Sequence, residues 1–339
     1  MNAGPLVEVE DLVVGYPGAR RRWIEAVRGV DLSIPVGSTL GLVGESGSGK
    51  SSLGGAILGL VPVAGGRVRL AGQDLVRARP AMRRRLSARL QAVFQDPHAS
   101  LDPARRIGES VGEGLRHALG LPPAEVRRRV IDVLAEVGLP ASAADCFPAD
   151  FSGGQRQRIA IARAIAVDPD FVVCDEAVSA LDLSVQAQVL NLLLRLQADR
   201  GLSYLFISHD LSVVRHMSDE IAVMYAGLIV ERGPASVVSA SPAHPYTRAL
   251  VAAVPVPDQA EQGHRRAARR AAVVAGMDEA ARSGCPYAAR CPSVTDRCRS
   301  ERPVLAVRRS GVAVACHLDL DTPAEAGPRP AGRSLGARP

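Results

Sequence analysis

The chain has 339 residues, with 47% hydrophobic side chains, only 3% aromatic ones and a formal net charge of +6. That length can hold one large domain with an appendage, or two domains. The small number of aromatic side chains argues against a nucleic-acid surface built on base stacking. No apolar stretch reaches the roughly 20 residues that span a bilayer, and the N-terminus lacks a signal-peptide pattern. We therefore expect a cytoplasmic protein.

Basic residues are concentrated in short arginine-rich runs. These runs occupy residues 20–22, 83–85, 127–129 and 265–270. We interpret each run as solvated surface, and contact with anionic lipid headgroups is the alternative.

The first part of the chain predicts strands. Residues 6–14 alternate apolar and polar side chains, and residues 26–34 are also strand-like. Residues 39–43 (TLGLV) are short and apolar, as in a buried strand, and residues 52–60 carry apolar side chains at helical spacing. A strand and a helix therefore flank the residues between them.

Those intervening residues, 44–51 (GESGSGKS), match the phosphate-binding pattern G-x-x-x-x-G-K-[ST]. A glycine-rich turn before a helix points backbone N–H groups at anionic oxygens, and the helix dipole adds partial positive charge. Lys50 would reach the β- and γ-phosphates of a nucleotide, and Ser51 would hold Mg²⁺. The candidate nucleotide-binding residues here are Gly44, Glu45, Ser46, Gly47, Ser48, Gly49, Lys50, Ser51 and Ser52. A glycine-rich turn with no ligand is the alternative.

Helical and strand patterns alternate further along the chain. Strands are predicted at 65–75, 91–94, 171–174, 204–207, 221–225 and 228–231, and helices at 81–90, from residue 152 and at 185–196, with a helical insertion over 100–147. Strands that alternate with helices, with a ligand loop at the carboxyl end of one strand, predict an α/β fold with a parallel-sheet core.

Two acidic residues follow the apolar strand at 171–174. Asp175 would complete the Mg²⁺ site, and Glu176 would act as the general base for the attacking water. The alternative is an ordinary strand end followed by a solvated acidic pair.

A second candidate anion site lies at residues 151–155 (FSGGQ). Ser152 is a good N-cap, and Gly153 and Gly154 leave the start of the following helix open to a close ligand. A simple helix cap is the alternative.

The FSGGQ stretch resembles the LSGGQ signature of the ATP-binding-cassette (ABC) ATPases, with Phe in the first place. Other motifs of that family have similar counterparts here in the same order. Gln95 resembles the glutamine of the Q-loop, residues 179–182 (SALD) resemble the D-loop, and His209 resembles the switch histidine. Tyr16 is similar to the aromatic residue that stacks on adenine.

The resemblance covers about residues 6–250 and departs from the family pattern at residues 177–178, where Ala-Val replaces the common Pro-Thr. It implies an ABC ATPase domain with an antiparallel β subdomain and a helical subdomain at about residues 98–168, using ATP and Mg²⁺. It implies catalytic roles for Glu176, His209 and Gln95. The Mg²⁺ contacts that it implies come from Ser51, Gln95 and Asp175. The further nucleotide contacts that it implies come from Tyr16, Ser152, Gly153, Gly154, Gln155 and Asp182.

A finer resemblance concerns the C-terminal third of the chain. Residues 244–250 (HPYTRAL) and 284–292 (GCPYAARCP) are similar to segments of ATPases from oligopeptide/dipeptide importers. The stretches VFQDPHASLDP and FSGGQRQRIAIARAI look more like the F-type member of the paired ATPases in such importers. Nickel importers share much of this pattern, so a nickel or other small-solute importer is an alternative.

Two other classes are less compatible with these motifs. ABC ATPases that act on DNA or ribosomes carry coiled-coil or zinc-bearing insertions or two cassettes, whereas this chain has one cassette and no such insertion. A module that holds ATP without hydrolysing it would not need Glu176 and His209.

The resemblance also implies partners. One phosphate loop and one signature require a second ABC ATPase, paralogous or identical, because each signature completes the partner's site. Two membrane permease subunits and an extracytoplasmic substrate-binding protein are expected, with no nucleic acid. We therefore expect the chain at the cytoplasmic face of the cell membrane, bound peripherally. The expected division is an ATPase domain to residue 250, a C-terminal region at 251–320 and a disordered tail at 321–339.

Four cysteines lie in that C-terminal region, at Cys285, Cys291, Cys298 and Cys316, with the spacing C-x5-C-x6-C-x17-C. Gathered thiols in a cytoplasmic protein favour a metal over disulfides. Zinc prefers closer pairs, and four thiolates on a loose loop suit a [4Fe–4S] cluster. The resemblance to importer ATPases with this tail, some of which can hold such a cluster, makes it the prediction, with zinc or free thiols as alternatives. We expect a structural role, because nothing in the sequence places these cysteines near the nucleotide.

Overall fold

The computed structural model describes residues 4–18, 23–96, 100–253, 283–308 and 311–318. The arginine runs at 20–22 and 265–270 and the predicted disordered tail lie outside these residues.

Strands near the start of the chain form an antiparallel sheet of four strands within the described residues. Its strands are β1 (Val7–Pro17), β2 (Trp23–Ile34), β4 (Gly65–Leu70) and β5 (Gln73–Asp74), in the order β2-β1-β4-β5. Strand β1 runs three residues beyond the predicted end at residue 14, because its pairing with β2 continues to Pro17 opposite Trp23. Tyr16 is therefore a strand residue rather than a loop residue.

Within the described residues, the main sheet has eight strands. They are β3 (Thr39–Val43), β6 (Leu90–Phe94), β7 (Phe171–Asp175), β8 (Ser203–Ser208), β9 (Glu220–Tyr225), β10 (Leu228–Pro234), β11 (Ala306–Val307) and β12 (Ala313–Val314). Their order is β11-β12-β10-β9-β3-β8-β7-β6, and the strands from β6 to β9 in this order are parallel. Strand β3 is buried along its whole length, so its wholly apolar sequence fits a central position. The predicted α/β fold is confirmed.

Helices connect and cover the strands. Those of the core and insertion are α1 (Lys50–Ile57), α2 (Pro80–Arg89), α3 (Ile107–Val111), α4 (Glu113–His117), α5 (Pro123–Glu136), α6 (Gly153–Ile165) and α7 (Leu183–Arg200). Those that follow are α8 (Leu211–Met217), α9 (Ala235–Ala240), α10 (Pro245–Ala253) and α11 (Asp296–Ser300). Helix α5 buries Val126, Val130, Val133 and Leu134, whose spacing places them on one face of the helix.

The cysteine-bearing region joins the main sheet. Strand β12 pairs with β10 through Val314 opposite Glu231, and β11 pairs with β12. The backbone of the C-terminal region is therefore continuous in hydrogen bonding with the sheet that carries the phosphate loop. Among the described ranges, no helix is both long and apolar enough to cross a membrane.

Candidate active site

The phosphate loop follows β3 and leads directly into α1, which begins at Lys50. Gly49 has a φ of 104°, and a Cβ atom there would lie 2.1 Å from the carbonyl oxygen of Ala26. Only glycine fits such a close backbone approach at positive φ. The N–H of Gly227, in the turn after β9, donates to the carbonyl oxygen of Ser48 at 2.9 Å. Neighbouring backbone therefore shapes the loop before any ligand binds.

Lys50 lies inside the curled loop and is 5% exposed. Its Nζ donates to the carbonyl oxygens of Gly44 at 2.8 Å and Glu45 at 2.9 Å. Burial lowers the pKa of Lys50, and the nearby carboxylates, Glu176 first among them, oppose that shift. A buried ammonium that donates to two carbonyl oxygens of the loop itself is well placed to receive a phosphate oxygen.

Ser51 and Asp175 meet across the site. The Ser51 hydroxyl donates to Asp175 Oδ1 at 3.2 Å. Burial raises the pKa of Asp175, and the hydrogen bond from Ser51 partly offsets this effect. A hydroxyl and a carboxylate are the hard oxygen ligands that Mg²⁺ prefers, so these two residues fit the predicted metal.

Gln95 lies at the same edge of the sheet. It follows β6, whose last residue, Phe94, pairs in register with Asp175 at the end of β7. The side chain of Gln95 is exposed. Because the carboxyl ends of parallel strands share one edge, Gln95 and Asp175 lie at the ends of neighbouring strands.

Glu176 and His209 form the second polar pair at this edge. His209 Nδ1 lies 3.3 Å from Glu176 Oε1. Glu176 has a φ of 49°, a left-handed conformation that costs a non-glycine residue about 1–3 kcal/mol. Its N–H donates to the carbonyl oxygen of Ile207 at 2.9 Å, which anchors the strained residue to the neighbouring strand β8. Such strain concentrates at functional sites.

Tyr16 stands beside the helix that leaves the phosphate loop. Its hydroxyl donates to Ser52 Oγ at 3.1 Å, and the side chain is 37% exposed. The exposed ring next to α1 is free to contact a base of a nucleotide held by the loop.

The signature begins helix α6. Ser152 Oγ accepts from the N–H of Gln155, and Gln155 Oε1 accepts from the N–H of Ser152, which is a capping box. A Cβ at Gly153 would meet nothing within 4 Å, whereas one at Gly154 would lie 2.4 Å from Val185 Cγ1. The helix start is therefore open at Gly153 and packed against α7 at Gly154.

Asp182 caps the next helix, α7. Its Oδ1 accepts from the N–H groups of Ser184 at 3.1 Å and Val185 at 3.0 Å. These hydrogen bonds, the one from Val185 first, lower the pKa of Asp182. The aspartate of the predicted D-loop therefore acts as the N-cap of α7.

Two contacts to the phosphate loop were not predicted from the sequence. Arg290 makes a bidentate ion pair with the carboxylate of Glu45, and the N–H of Glu45 donates to the Tyr246 hydroxyl. Because Arg290 directly precedes Cys291, the cysteine segment contacts the candidate phosphate loop, which the sequence did not indicate. The stretches 244–250 and 284–292, which contain Tyr246 and Arg290, carry the only sequence signal, and that signal is a resemblance that indicates no contact.

The four C-terminal cysteines gather in one place. Burial raises the pKa of the Cys285 thiol to about 11, and negative charge on the other three thiols would raise it further. Among the described residues, however, no three His, Cys, Asp or Glu side chains are arranged to hold a metal ion. The geometry therefore does not support the predicted iron–sulfur cluster.

Comparison with known proteins assigns the family. The ABC transporter family matches residues 27–179, and the family described as oligopeptide/dipeptide transporter, C-terminal region, matches residues 230–298. A relative from Brucella abortus (strain 2308), named as a peptide import ATP-binding protein, is 47% identical over 92% of this chain and 94% of its own. The oligopeptide transport ATP-binding protein OppF of Escherichia coli (strain K12) is 44% identical over 88% of this chain and 92% of its own.

Solved structures have the same fold. A dimeric ATP-binding cassette in a post-hydrolysis state with ADP and Pi superposes with a TM-score of 0.62 at 26% identity, covering 68% of this chain and 98% of that one. The cbiO1 protein from Clostridium perfringens, part of the cbiONQ ABC transporter complex, also has a TM-score of 0.62 at 26% identity, covering 70% of this chain and 92% of that one. The chain therefore belongs to the ABC transporter family as an ATPase, within the group that carries the oligopeptide/dipeptide transporter C-terminal region.

Proposed function

We propose that this ATPase drives uptake of oligopeptides or dipeptides through a separate membrane permease. The observation that carries the ATPase role is the clustering of Lys50, Ser51, Asp175, Glu176 and His209 at one edge of the main sheet. The peptide cargo is supported by the match to the oligopeptide/dipeptide region and by the names of the relatives. Nickel or another small solute is the alternative cargo.

In this proposal each residue has a distinct task. The buried Lys50 ammonium moves from the carbonyl oxygens of the loop to the β- and γ-phosphates. Ser51 and Asp175 would hold Mg²⁺, which supplies charge neutralisation at the phosphates when bound. Glu176 accepts the proton of the attacking water. His209, 3.3 Å from Glu176, orients that carboxylate.

Tyr16 and Gln95 act at the margins of this site. The exposed Tyr16 ring stacks on adenine. Gln95 would contribute to the Mg²⁺ site and would join it to the helical subdomain at about residues 98–168.

The proposed assembly pairs this chain with a second ABC ATPase, paralogous or identical. Residues 152–155, with Gly153 facing open space, would dock on the γ-phosphate held by the partner's loop, since a helix N-terminus is suited to anions. Asp182 would line the same interface. Loss of the γ-phosphate on hydrolysis removes this bridge and opens the dimer. The helical subdomain would pass that motion to two permease subunits, which receive cargo from an extracytoplasmic binding protein.

This assembly would hold the chain peripherally at the cytoplasmic face of the membrane. The ATPase domain would extend to about residue 250 and the C-terminal region to about residue 320. The arginine run at residues 127–129, of which Arg127 and Arg128 are exposed, would face solvent or lipid headgroups.

A metal at the four cysteines is a separate proposal. Four neighbouring thiols are the donor set of a [4Fe–4S] cluster, although their arrangement would have to tighten to bind one. Iron and sulfide analysis of the full chain purified without oxygen tests it, with Cys146→Ser as a control outside the cluster. Four iron atoms per chain that are lost in Cys298→Ser would support the cluster, whereas stoichiometric zinc or no metal would refute it.

The functional test uses the chain purified together with the membrane proteins that bind it, reconstituted into lipid vesicles. We expect ATP hydrolysis to rise when peptide-loaded binding protein is added, and to stay at the basal rate with Ni²⁺. A rise with Ni²⁺ alone would move the assignment to the nickel alternative. No hydrolysis under any condition would refute the transport role.

A further inference from the structure

Glu45 of the phosphate loop is held through three of its groups. Its carboxylate pairs with the two terminal nitrogens of Arg290 at 2.9 and 3.0 Å. Its N–H donates to the Tyr246 hydroxyl at 2.8 Å, and its carbonyl oxygen accepts from Lys50 Nζ at 2.9 Å. The residue that holds the phosphate-binding ammonium is therefore itself held by two side chains from the C-terminal third of the chain.

The cysteine segment determines where Arg290 lies. Arg290 ends a single 3₁₀ turn, Ala288–Arg290, between Cys285 and Cys291. The N–H of Arg290 donates to the carbonyl oxygen of Tyr287 at 3.0 Å, and its guanidinium carbon lies 5.8 Å from the Tyr287 ring centroid. A bidentate guanidinium–carboxylate pair is geometrically specific, so the turn aims Arg290 at the loop.

Three tyrosines connect this turn to the catalytic sheet. Tyr287 lies 5.3 Å from the ring centroid of Tyr225, at the end of β9, and 5.4 Å from that of Tyr246. Tyr225 and Tyr246 are 4.6 Å apart. Three of the five tyrosines in the chain therefore pack together behind the phosphate loop. Rigid aromatic packing of this kind limits the movement of the groups that it joins.

Hydrogen bonds at the start of helix α10 fix the position of Tyr246 and of its hydroxyl. The Tyr246 N–H donates to His244 Nδ1 at 3.0 Å, and the buried carboxylate of Glu231 accepts from the N–H groups of Ala243 and His244, each at 2.8 Å. Tyr246 is 1% exposed. The HPYT stretch is thus a capped helix start whose tyrosine reaches a loop 201 residues away.

We propose that Arg290 and Tyr246 are positioning residues of the ATP site, and that the cysteine-bearing segment is thereby part of it. By holding the peptide of Glu45, they keep the glycine-rich loop in the curled form that receives phosphates, and they keep the acceptor of Lys50 in place. Glycine-rich turns lose much conformational freedom on ordering, so a loop ordered in advance binds ATP more tightly. This inference rests on the proposed nucleotide site.

The test measures the Kd of the full chain for ATP, with hydrolysis measured in the assembled transporter. We expect Arg290→Ala to raise the Kd about fivefold, which corresponds to ~1 kcal/mol for a partly exposed ion pair. Arg290→Lys should recover part of the affinity, and kcat at saturating ATP should change less than twofold. The matched control is Arg297→Ala, which removes an ion pair with Glu301 of 2.7 and 2.9 Å in the same segment without touching Glu45.

Tyr246→Phe provides a second variant that keeps the ring packing and removes only the acceptor of the Glu45 N–H. It should raise the Kd for ATP while the thermal unfolding midpoint without nucleotide stays close to that of the parent. In a double-mutant cycle, Glu45→Gln combined with Arg290→Ala should weaken ATP binding no more than either change alone.

Comparing Lys50→Ala with Arg290→Ala and Tyr246→Phe distinguishes failure of the nucleotide site from failure of the positioning role. Lys50→Ala should abolish ATP binding, and if it does not, the nucleotide site itself is wrong. If Lys50→Ala fails to bind ATP while Arg290→Ala and Tyr246→Phe bind it as the parent does, only the positioning role is refuted. An equal loss of affinity in Arg297→Ala, or additive losses in the cycle, would also refute it, because the effect would then be general destabilisation of the segment.

Discussion

His209 Nδ1 lies 3.3 Å from Glu176 Oε1, and the two residues follow neighbouring parallel strands, β8 and β7. The pair is assembled by the sheet, since Glu176 also donates its N–H to Ile207 on β8. The strained φ of 49° at Glu176 aims its carboxylate across the end of the sheet. Because of this arrangement, substitution of Glu176 is the first test of the proposed general base.

Glu176→Gln should retain ATP binding and lose hydrolysis. Because the amide cannot accept the proton of the attacking water, we expect kcat to fall by at least about 100-fold, with an unchanged Kd for ATP. Hydrolysis is measured in the assembled transporter. His209→Ala, which leaves the carboxylate but removes its partner, should give a smaller loss. Hydrolysis by Glu176→Gln at the parent rate would rule out Glu176 as the base.

Tyr16 should contribute to nucleotide affinity through its ring. Tyr16→Ala removes the exposed ring beside α1, and we expect the Kd for ATP to rise about five- to tenfold, as the loss of one base–aromatic stack of ~1 kcal/mol or more implies. Tyr16→Phe loses only the hydrogen bond to Ser52 and should bind ATP nearly as well as the parent. Titration with ATP checks both variants. Equal weakening in the two would assign the effect to the hydroxyl instead.

Gly153→Asp should fold normally and block hydrolysis. A Cβ atom at Gly153 would meet no neighbour within 4 Å, but a carboxylate there would repel the γ-phosphate on the partner's loop. Gly153→Ala adds the Cβ without the charge and should hydrolyse ATP. Gly154→Ala should instead destabilise the fold by about 1–3 kcal/mol, because its Cβ would lie 2.4 Å from Val185 Cγ1.

Combining Gly153→Asp with loss of a phosphate-loop lysine tests whether the signature acts on the partner's site. The result should depend on which of the two chains carries the lysine change. With Lys50→Ala in the same chain as Gly153→Asp, both composite sites of the dimer should be lost. With the phosphate-loop lysine removed from the partner ATPase instead, both changes fall on one site, and the other site should still hydrolyse ATP. The reverse result would mean that each signature serves its own chain.

Stability should fall with acid partly through His244. Burial lowers the pKa of His244 to about 4 from 6.5, so the folded chain binds fewer protons there than the unfolded chain. Its contribution is fully present above pH 6.5 and is lost as the pH falls toward 4, by roughly 3 kcal/mol at most. Burial raises the pKa of the neighbouring Glu231, which acts in the opposite direction.

The control for this effect is His244→Asn, whose side-chain oxygen can still accept from the N–H of Tyr246 but does not titrate. Thermal unfolding midpoints are measured from pH 4 to pH 7 for both proteins. We expect a shallower loss of stability in the variant. An identical acid dependence in the two proteins would show that His244 does not contribute.

The amino-acid sequence by itself determined the parts that depend on contiguous residues. Residues 44–51 specify the phosphate loop, because glycines, a lysine and a helix start are needed in a set order. Ser152 specifies a helix start for the same local reason, since its hydroxyl bonds the N–H of Gln155. Asp175 and Glu176 follow a strand that is recognisable from its apolar run.

The tertiary structure decided which distant residues meet. Strand β1 extends through Tyr16 because β2 pairs with it, which no pattern within residues 15–17 indicates. The ion pair between Glu45 and Arg290 joins residues 245 positions apart, and a surface arginine has the same local signature with or without such a partner. Hydrophobic periodicity specifies which face of an element is buried but not the neighbour that covers it. The contact between the cysteine segment and the phosphate loop therefore emerges only when β10, α10 and the tyrosines pack together.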